Sequence, residues 1–385
     1  MGSAALFSFF TGESIKVEQT IISIAFGFEA VLLFLAAFFS FQKTLQKPSA
    51  DQEASFSVAP WQIVIFTITA FASILIGYQL SGIKAINWLF LPILTIPAIV
   101  LPIGVLLALG THGLSSGTRW QSWNVLGLGM TLVPLILFML EIAVLIIIFF
   151  VLIAYIMTQP ELASELQGLS QQIILLGPES EATRDLLLPF LTTPGVIITT
   201  LVYIAILVPA LEEIFKPLGV WLLAGKLESP AQGFTLGALS GAGYALVETI
   251  GVSSQTGEWA SLLFSRIGTG LLHITTSALM GAAIVLAWRE RRHLRLVATY
   301  FLAVTLHGVW NTFAMLFTFS GFAELLGQPG LLSTLQPISI IILSILAIGL
   351  LAILVLSNRS MRNLVPASLK EPGAPAQDTD VSQTP

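Results

Sequence analysis

Residues 126–157 read LGLGMTLVPLILFMLEIAVLIIIFFVLIAYIM, an apolar run whose one ionisable side chain is Glu141. A helix needs about 20 predominantly apolar residues to cross the hydrocarbon core of a bilayer, and this run is longer. It also lacks the alternation of apolar and polar residues that marks the strands of membrane β-barrels. The stretch therefore predicts a membrane-spanning helix.

The composition of the whole chain supports the same fold class. Of its 385 residues, 55% are hydrophobic and 10% are charged, whereas soluble domains carry about 25% charged residues. Cysteine is absent, which excludes disulfide bonds and thiolate metal ligands. We therefore predict an all-α, polytopic helical membrane protein.

The apolar runs predict about nine transmembrane helices. They cover residues 17–41, 60–80, 85–109, 126–157, 195–224, 231–252, 259–288, 296–319 and 335–356. Basic residues follow the odd-numbered runs: Lys43, Lys47, Arg119, Lys226, Arg289, Arg291, Arg292, Arg295, Arg359 and Arg362. The opposite loops are mostly acidic or nearly neutral. By the positive-inside rule the N-terminus lies outside and the C-terminus is cytoplasmic.

The same pattern predicts five regions along the chain. Residues 1–160 hold four spans of unassigned role, and 161–194 form an extracytoplasmic amphipathic loop that lies along the interface. Residues 195–320 hold four more spans, and 321–356 hold the last. The tail at 357–385 is rich in Pro, Ser, Asp and Gln, which predicts disorder.

Ionisable residues inside predicted spans are few and clustered. They are Glu29, Glu141, Glu212, Glu213, Lys216, Glu248, Arg266, His273 and His307. Seven of these nine lie in the fifth to eighth spans, whereas Glu29 and Glu141 are isolated and are interpreted as structural. An ionisable side chain costs several kcal/mol inside a bilayer, so the cluster predicts a functional site.

The fifth span carries the densest part of this cluster, in the run Val208-Pro-Ala-Leu-Glu-Glu-Ile-Phe-Lys-Pro217. Glu212 and Lys216 are four residues apart and share a helix face, while Glu213 points about 100° away from Glu212. Pro217 removes a backbone donor, so the helix is expected to kink there. The simpler interpretation is a structural Glu–Lys pair.

The next three spans each place polar residues at helical spacing. The pairs are Tyr244 with Glu248, Arg266 with His273, and His307 with Asn311. Glycines beside Tyr244 would let another helix approach closely. The structural alternatives are a packing face with one buried glutamate, and histidines that are satisfied core residues.

These residue types suit hydrolysis of an amide bond inside the membrane. A carboxylate can act as general base toward water, while imidazole and carboxamide donors can stabilise an oxyanion. A thiol nucleophile is excluded, a serine nucleophile is not expected, and no His-Glu-x-x-His motif occurs. The competing function classes are a proton-coupled transporter, which would use the same buried groups as a relay, and a non-catalytic membrane scaffold.

Four motifs in this order resemble the PrsW family of intramembrane proteases, a distant relative of the CAAX prenyl endopeptidases and Abi proteins. They are Glu-Glu-x-x-Lys at 212–216, aromatic-x-x-x-Glu at 244–248, a mid-span His273 preceded by Arg266, and His-x-x-Trp-Asn at 307–311. The resemblance covers about 195–320, which would be the PrsW-like catalytic core. The CAAX prenyl endopeptidases have a histidine where this chain has Glu248, which disfavours processing of prenylated proteins.

The resemblance implies site-1 type cleavage of a membrane-anchored protein, such as an anti-sigma factor, in a prokaryotic plasma membrane, with no nucleic-acid partner. It implies a catalytic set of Glu212, Glu213, Glu248, His273, His307 and Asn311. Lys216, Tyr244 and Arg266 would support that set.

The sequence leaves the catalytic type open. Glu212, Glu248, His273 and His307 could hold zinc, so zinc is a possible cofactor. The nearby cations Lys216 and Arg266 would repel a divalent ion and favour a glutamate-activated water, which we prefer. Glu212 is the preferred base because Lys216 shares its face, and Glu213 would then orient a partner on an adjacent helix.

Overall fold

The computed structural model describes residues 17–54, 58–177, 180–191, 193–253, 259–325 and 331–364. These residues form helices joined by turns, with no β-strand among them, so the predicted all-α class is confirmed. The helices before the cluster are α1 (Val17–Thr44), α2 (Pro48–Asp51), α3 (Pro60–Ser81), α4 (Asn87–Thr111), α5 (Arg119–Met130), α6 (Leu132–Met157), α7 (Pro160–Leu176) and α8 (Glu181–Leu191). Those that follow are α9 (Pro194–Val202), α10 (Val208–Phe215), α11 (Leu218–Leu223), α12 (Pro230–Val252), α13 (Trp259–Glu290), α14 (His293–Leu325) and α15 (Leu331–Leu364).

Eight segments of the described chain are long and apolar enough to span a membrane, so the protein is multi-pass. They correspond to eight of the nine predicted spans. The sixth predicted span is α12, whose 23 residues reach about 34 Å at 1.5 Å per residue. Glycine and polar side chains make α12 less apolar, and 17 of its 23 residues are buried in the protein.

Helices α12 and α13 form the centre of the fold and make its most extensive helix pair. A Cβ added at Gly237 would overlap Ser277 O, and one added at Gly241 would overlap His273 O. The two backbones are therefore in direct contact, which is the packing that small residues permit in membrane helices. Helices α4 and α5 pack on other faces of α12, so the N-terminal region encloses the centre.

The fifth span is broken twice along its length. A π-helical segment at Tyr203–Leu207 separates α9 from α10, and Pro217 (φ −82°, ψ 26°) separates α10 from α11. The kink expected at Pro217 is present because proline has no N–H to continue the helix. The interrupted turn leaves backbone carbonyls for side chains: Ile214 O accepts from Trp221 Nε1, and Lys216 O accepts from Ser240 Oγ.

A two-residue turn joins α13 to α14 and sets the two histidines at similar depth. Arg291 adopts a left-handed conformation with φ 55°, which ends a helix sharply. His273 lies 17 residues before Glu290, and His307 lies 14 residues after His293. At 1.5 Å per residue these separations are about 26 and 21 Å, so the imidazoles lie at neighbouring levels of an antiparallel pair.

The ends of the bundle differ from the sequence prediction in two places. Predicted loop 161–194 contains helices α7 and α8, whose location at a membrane interface stays a prediction. The last helix continues to Leu364, past the predicted end at 356, and Asn358 Nδ2 donates to Gly110 O and His112 O. Residues 357–364 are thus helical and not disordered, while the remainder of the predicted tail lies outside the described residues. The predicted orientation in the membrane stays a prediction.

Candidate active site

Lys216 lies at the centre of the polar cluster, and its side chain is fully buried. Its Nζ is 2.5 Å from Glu213 Oε1 and 3.7 Å from Glu212 Oε2. Lys216 therefore lies close to Glu212, with which it was expected to share a helix face, and closer still to Glu213. At the break before Pro217 the lysine reaches the residue three positions back more closely than the residue four back. Nζ also lies 3.0 Å from His273 Nδ1 and 3.5 Å from His307 Nδ1.

Glu213 holds His307 from the neighbouring span. Its Oε1 is 2.8 Å from His307 Nδ1, which leaves Nε2 as the other ring nitrogen. His307 Nε2 lies 3.8 Å from Glu212 Oε2. The contact between Glu213 and a residue on another helix is the one expected for the second glutamate, and it fixes the direction of the imidazole.

Glu248 holds His273 in the same manner from α12. Glu248 Oε2 is 2.7 Å from His273 Nε2, and His273 Nδ1 then faces Glu212 Oε2 at 4.0 Å. Arg266 contacts the same carboxylate through its guanidinium and reaches Thr249 Oγ1 at 3.3 Å. The structure thus places Glu248 beyond His273 from Glu212, between the imidazole and Arg266.

Glu212 faces both histidines and has an unused acceptor. Its Oε2 is buried and accepts no hydrogen bond from the described residues. Possible ligand atoms of Glu212, His273 and His307 all lie within 4.8 Å of one another. A buried carboxylate oxygen without a partner is costly, so this orphan atom points to a missing partner. Glu248, the fourth metal ligand proposed from the sequence, is outside this group.

Asn311 contacts the fifth span as well as lying one turn from His307. Its Nδ2 donates to Ile204 O at 3.1 Å, inside the π-helical segment. A Cβ at Gly308 would overlap Ala205 O, and Tyr300 Oη donates to Ala210 O at 3.0 Å. Helix α14 therefore holds the backbone that leads into Glu212 at three points. Oxyanion stabilisation by Asn311 stays a prediction, and a carboxamide has a second N–H for it.

Tyr244 forms one wall of the site. Its ring packs edge-on against His273 with 5.0 Å between centroids, and Lys216 Nζ lies 5.9 Å from the ring centroid. Val133 and Leu137 of α6 cover the tyrosine from the other side. Tyr244 thus separates the charged cluster from the apolar helix α6.

Sequence reasoning missed several contributors. Ser240, Tyr300 and Gly308 touch the broken fifth span through backbone carbonyls, and such contacts leave no periodic signal in a sequence. Glu141, interpreted as structural, lies within electrostatic reach of Glu212 and Glu248. Glu29 is buried with an unpartnered Oε1; the structure gives it no place in the cluster.

One stretch of the sequence does have the spacing of a serine-hydrolase elbow, Gly-Leu-Ser-Ser-Gly at 113–117. That motif needs a sharp turn from a strand into a helix. Here it forms the loop between α4 and α5, and Ser115 Oγ accepts a hydrogen bond from Gly117 N. The motif is thus present in the sequence, but here it lies in a loop between two helices and not in a turn from a strand into a helix.

Comparison with known proteins agrees with the resemblance. Residues 172–348 match the family described as PrsW family intramembrane metalloprotease, a stretch that includes every residue of the candidate site. Searches of curated proteins and of solved structures found no match. The match and the four ordered motifs within it support the assignment of residues 172–348 to the PrsW family of intramembrane proteases.

Proposed function

We propose that the chain cleaves a peptide bond of a membrane-anchored protein at the cluster formed by Glu212, His273 and His307. The observation that carries the proposal is the buried Glu212 Oε2, which accepts no hydrogen bond from the described residues and faces one ring nitrogen of each histidine. The other nitrogen of each ring is held by a carboxylate, Glu213 or Glu248. The remaining nitrogens of both imidazoles and Glu212 Oε2 therefore face one position between the three side chains.

The donor set fits zinc. Two imidazoles and one carboxylate are the protein ligands of several catalytic zinc sites, which keep a further position for water or substrate. Carboxylates that hold the second nitrogen of ligating histidines are the usual outer partners of such sites. When bound, zinc would polarise the scissile carbonyl and lower the pKa of a water molecule.

The remaining residues orient and neutralise this set. Glu213 and Glu248 fix the imidazole rings, and Arg266 balances the charge of Glu248 from the far side. Asn311 secures the π-helical segment that precedes Glu212 and, in our proposal, offers its second N–H to the developing oxyanion, which His307 joins only in the metal-free mechanism. Tyr244 keeps the cluster apart from the helices that face lipid.

A metal-free mechanism is the second candidate, favoured by the position of Lys216. The ammonium lies 3.0 Å from His273 Nδ1, the nitrogen that would bind a metal. In this mechanism Glu212 is the general base that takes a proton from the attacking water. Lys216 and Glu213 then form the fixed ion pair beside it.

The exposure of the site supports entry from one end of the bundle. The Glu248 side chain is 33% exposed and Arg266 is 14% exposed, whereas Glu213 and Lys216 are fully buried. Glu248 lies near the C-terminal end of α12, on the side that the charge pattern predicts to be outside. We therefore propose site-1 type cleavage of an anti-sigma-factor-like substrate, toward the outer face of a prokaryotic plasma membrane.

The proposal is tested by reconstituting the purified protein with single-span protein substrates. We expect cleavage that Glu212→Gln lowers at least 10³-fold, on the order of the effect of losing a principal catalytic group. Glu228→Gln, a change at an exposed loop residue, is the matched control and should leave the rate unchanged. Size-exclusion profiles and melting temperatures show whether each variant folds.

A chelator separates the two mechanisms. If a metal is required, a chelator stops cleavage and zinc restores it, whereas the metal-free mechanism is insensitive to both. Full cleavage by the Glu212→Gln protein would contradict the catalytic assignment. Solute uptake that depends on Glu248, in the absence of cleavage, would favour the transporter.

A further inference from the structure

We propose that Lys216 is a built-in cation whose ammonium lies against two of the proposed metal ligands, Glu212 and His273, and competes with the metal for them. This inference rests on the proposed metal site. It assigns Lys216 a role in metal loading, which neither its motif nor the hydrolysis of a peptide bond requires.

The first observation is the place of the ammonium group. Lys216 Nζ is within 4.0 Å of Glu212 Oε2 and of the imidazole of each histidine. Because Glu248 holds His273 Nε2, the nitrogen next to Lys216 is the one left to bind a metal. The ammonium therefore lies against the ligand atoms of Glu212 and His273, whereas at His307 it lies near Nδ1, the nitrogen that Glu213 holds.

The second observation is the charge balance. Glu212 and Glu213 are adjacent carboxylates, buried with 5% and 0% of their surface exposed. Leaving buried charge without a counter-ion is strongly destabilising. Lys216 supplies the positive charge that lets this part of the protein fold before any metal arrives.

A bound divalent ion would change that balance. Two cations a few ångströms apart repel each other strongly in a buried site, so the ammonium has to leave the ligands. Glu213 Oε1, its nearest partner, lies outside the ligand group and can retain it there. Lys216 is then a positioning residue, and the displacement of its ammonium weakens metal affinity.

The alternative is a purely structural Lys216–Glu213 pair. In that case removing the lysine charge would disturb the site and weaken metal binding, or leave it unchanged. Competition predicts the opposite sign, tighter binding without the lysine. The sign of the change in zinc affinity therefore decides between the two.

The experiment titrates the purified full-length protein with zinc against a chromophoric chelator. We expect Lys216→Met to bind zinc at least tenfold more tightly than the unmodified protein. Zinc should also raise the melting temperature of Lys216→Met more than that of the unmodified protein, since zinc then supplies the missing charge. Lys43→Met removes an exposed lysine paired with Asp51 and should behave as the unmodified protein.

A second variant covers the case in which Lys216→Met does not fold. The double variant Lys216→Met/Glu213→Gln removes both charges of the pair, so neither charge is left buried without its partner. It should bind zinc at least tenfold more tightly than Glu213→Gln alone. Equal or weaker binding in both comparisons would overturn the competition.

Failure of the inference and failure of the metal site give different results. If zinc binding is lost in Glu212→Gln but is not strengthened by removing Lys216, only the competition is wrong. If Glu212→Gln binds zinc as well as the unmodified protein does, zinc is bound elsewhere and the metal site itself is wrong.

Discussion

Two candidate spans of this protein differ in opposite directions in how apolar they are and in how deeply they are buried. The segment Arg119–Met157, which comprises α5 and α6, is the most apolar of the candidate spans, yet only 6% of its most apolar stretch is buried in the protein. Helix α13 is among the least apolar, and 89% of its corresponding stretch is buried. In a membrane protein strong apolarity marks the surface that meets lipid, whereas glycine, small and polar residues mark the centre.

The comparison explains where the site is built. Helices α12 and α13 approach each other through glycines, so their polar side chains are enclosed by protein and not by lipid. Glu248 and His273 come from these two helices, and Lys216 projects into them from the broken fifth span. Polar groups inside a membrane protein are tolerated where partners surround them.

The largest effect should come from adding volume where α12 meets α13. Gly237→Val places side-chain atoms against Ser277 O, a backbone atom, and overpacking typically costs about 1–3 kcal/mol. We expect little folded protein after purification, as measured by size-exclusion yield and melting temperature. Ile147→Ala on α6, where Ile147 is 61% exposed, removes as many heavy atoms as Gly237→Val adds and should leave both nearly unchanged. Equal sensitivity at the two positions would contradict the contrast drawn between these helices.

The next effect concerns Asn311. Replacing it by alanine removes the donor to Ile204 O and the proposed oxyanion donor. Cleavage should fall by about 10²–10³-fold in kcat, with little change in KM. Thr312→Ala, at the adjacent position on α14, serves as the control and should retain most activity. A rise in KM alone would show that Asn311 acts only on substrate binding.

A smaller loss is expected when the outer partner of His273 is weakened. Glu248→Gln keeps the size of the side chain but removes the charge that orients the imidazole and pairs with Arg266. Outer partners of metal ligands are worth about 10–100-fold in metal affinity or activity, and both should be measured. If Glu248→Gln binds zinc as tightly as the unmodified protein, Glu248 does not support the metal ligands.

The smallest effect tests the boundary of the site at the apolar helix. Glu141 on α6 is within electrostatic reach of Glu212 and Glu248 but is absent from the candidate metal group. Glu141→Gln should change the cleavage rate by about two- to fivefold, since one carboxylate acting at a distance is partly screened. A loss comparable to that of Glu212→Gln would extend the active site onto α6.

The sequence predicts the helical class, the kink at Pro217 and the ionisable residues of the cluster, but not the π-helical break at Tyr203–Leu207. Apolar length is a local property that one run of residues displays completely, as 126–157 does. Motif spacing likewise places His307 and Asn311 on one helix face. The contacts between spans were less predictable: Lys216 pairs more closely with Glu213 than with Glu212, and Glu248 lies on the far side of His273.

The sequence by itself therefore determines that the chain spans a membrane and which ionisable residues lie in its spanning segments. The tertiary structure alone decides which groups meet, because these contacts depend on breaks in the fifth span and on backbone contact at Gly237, Gly241 and Gly308. A shift of one helix by a single turn would move a side chain by about 5.4 Å, more than the 3.8 Å that separates Glu212 from His307. The sequence identifies the residues of the site, and helix packing at the glycines determines the distances between them.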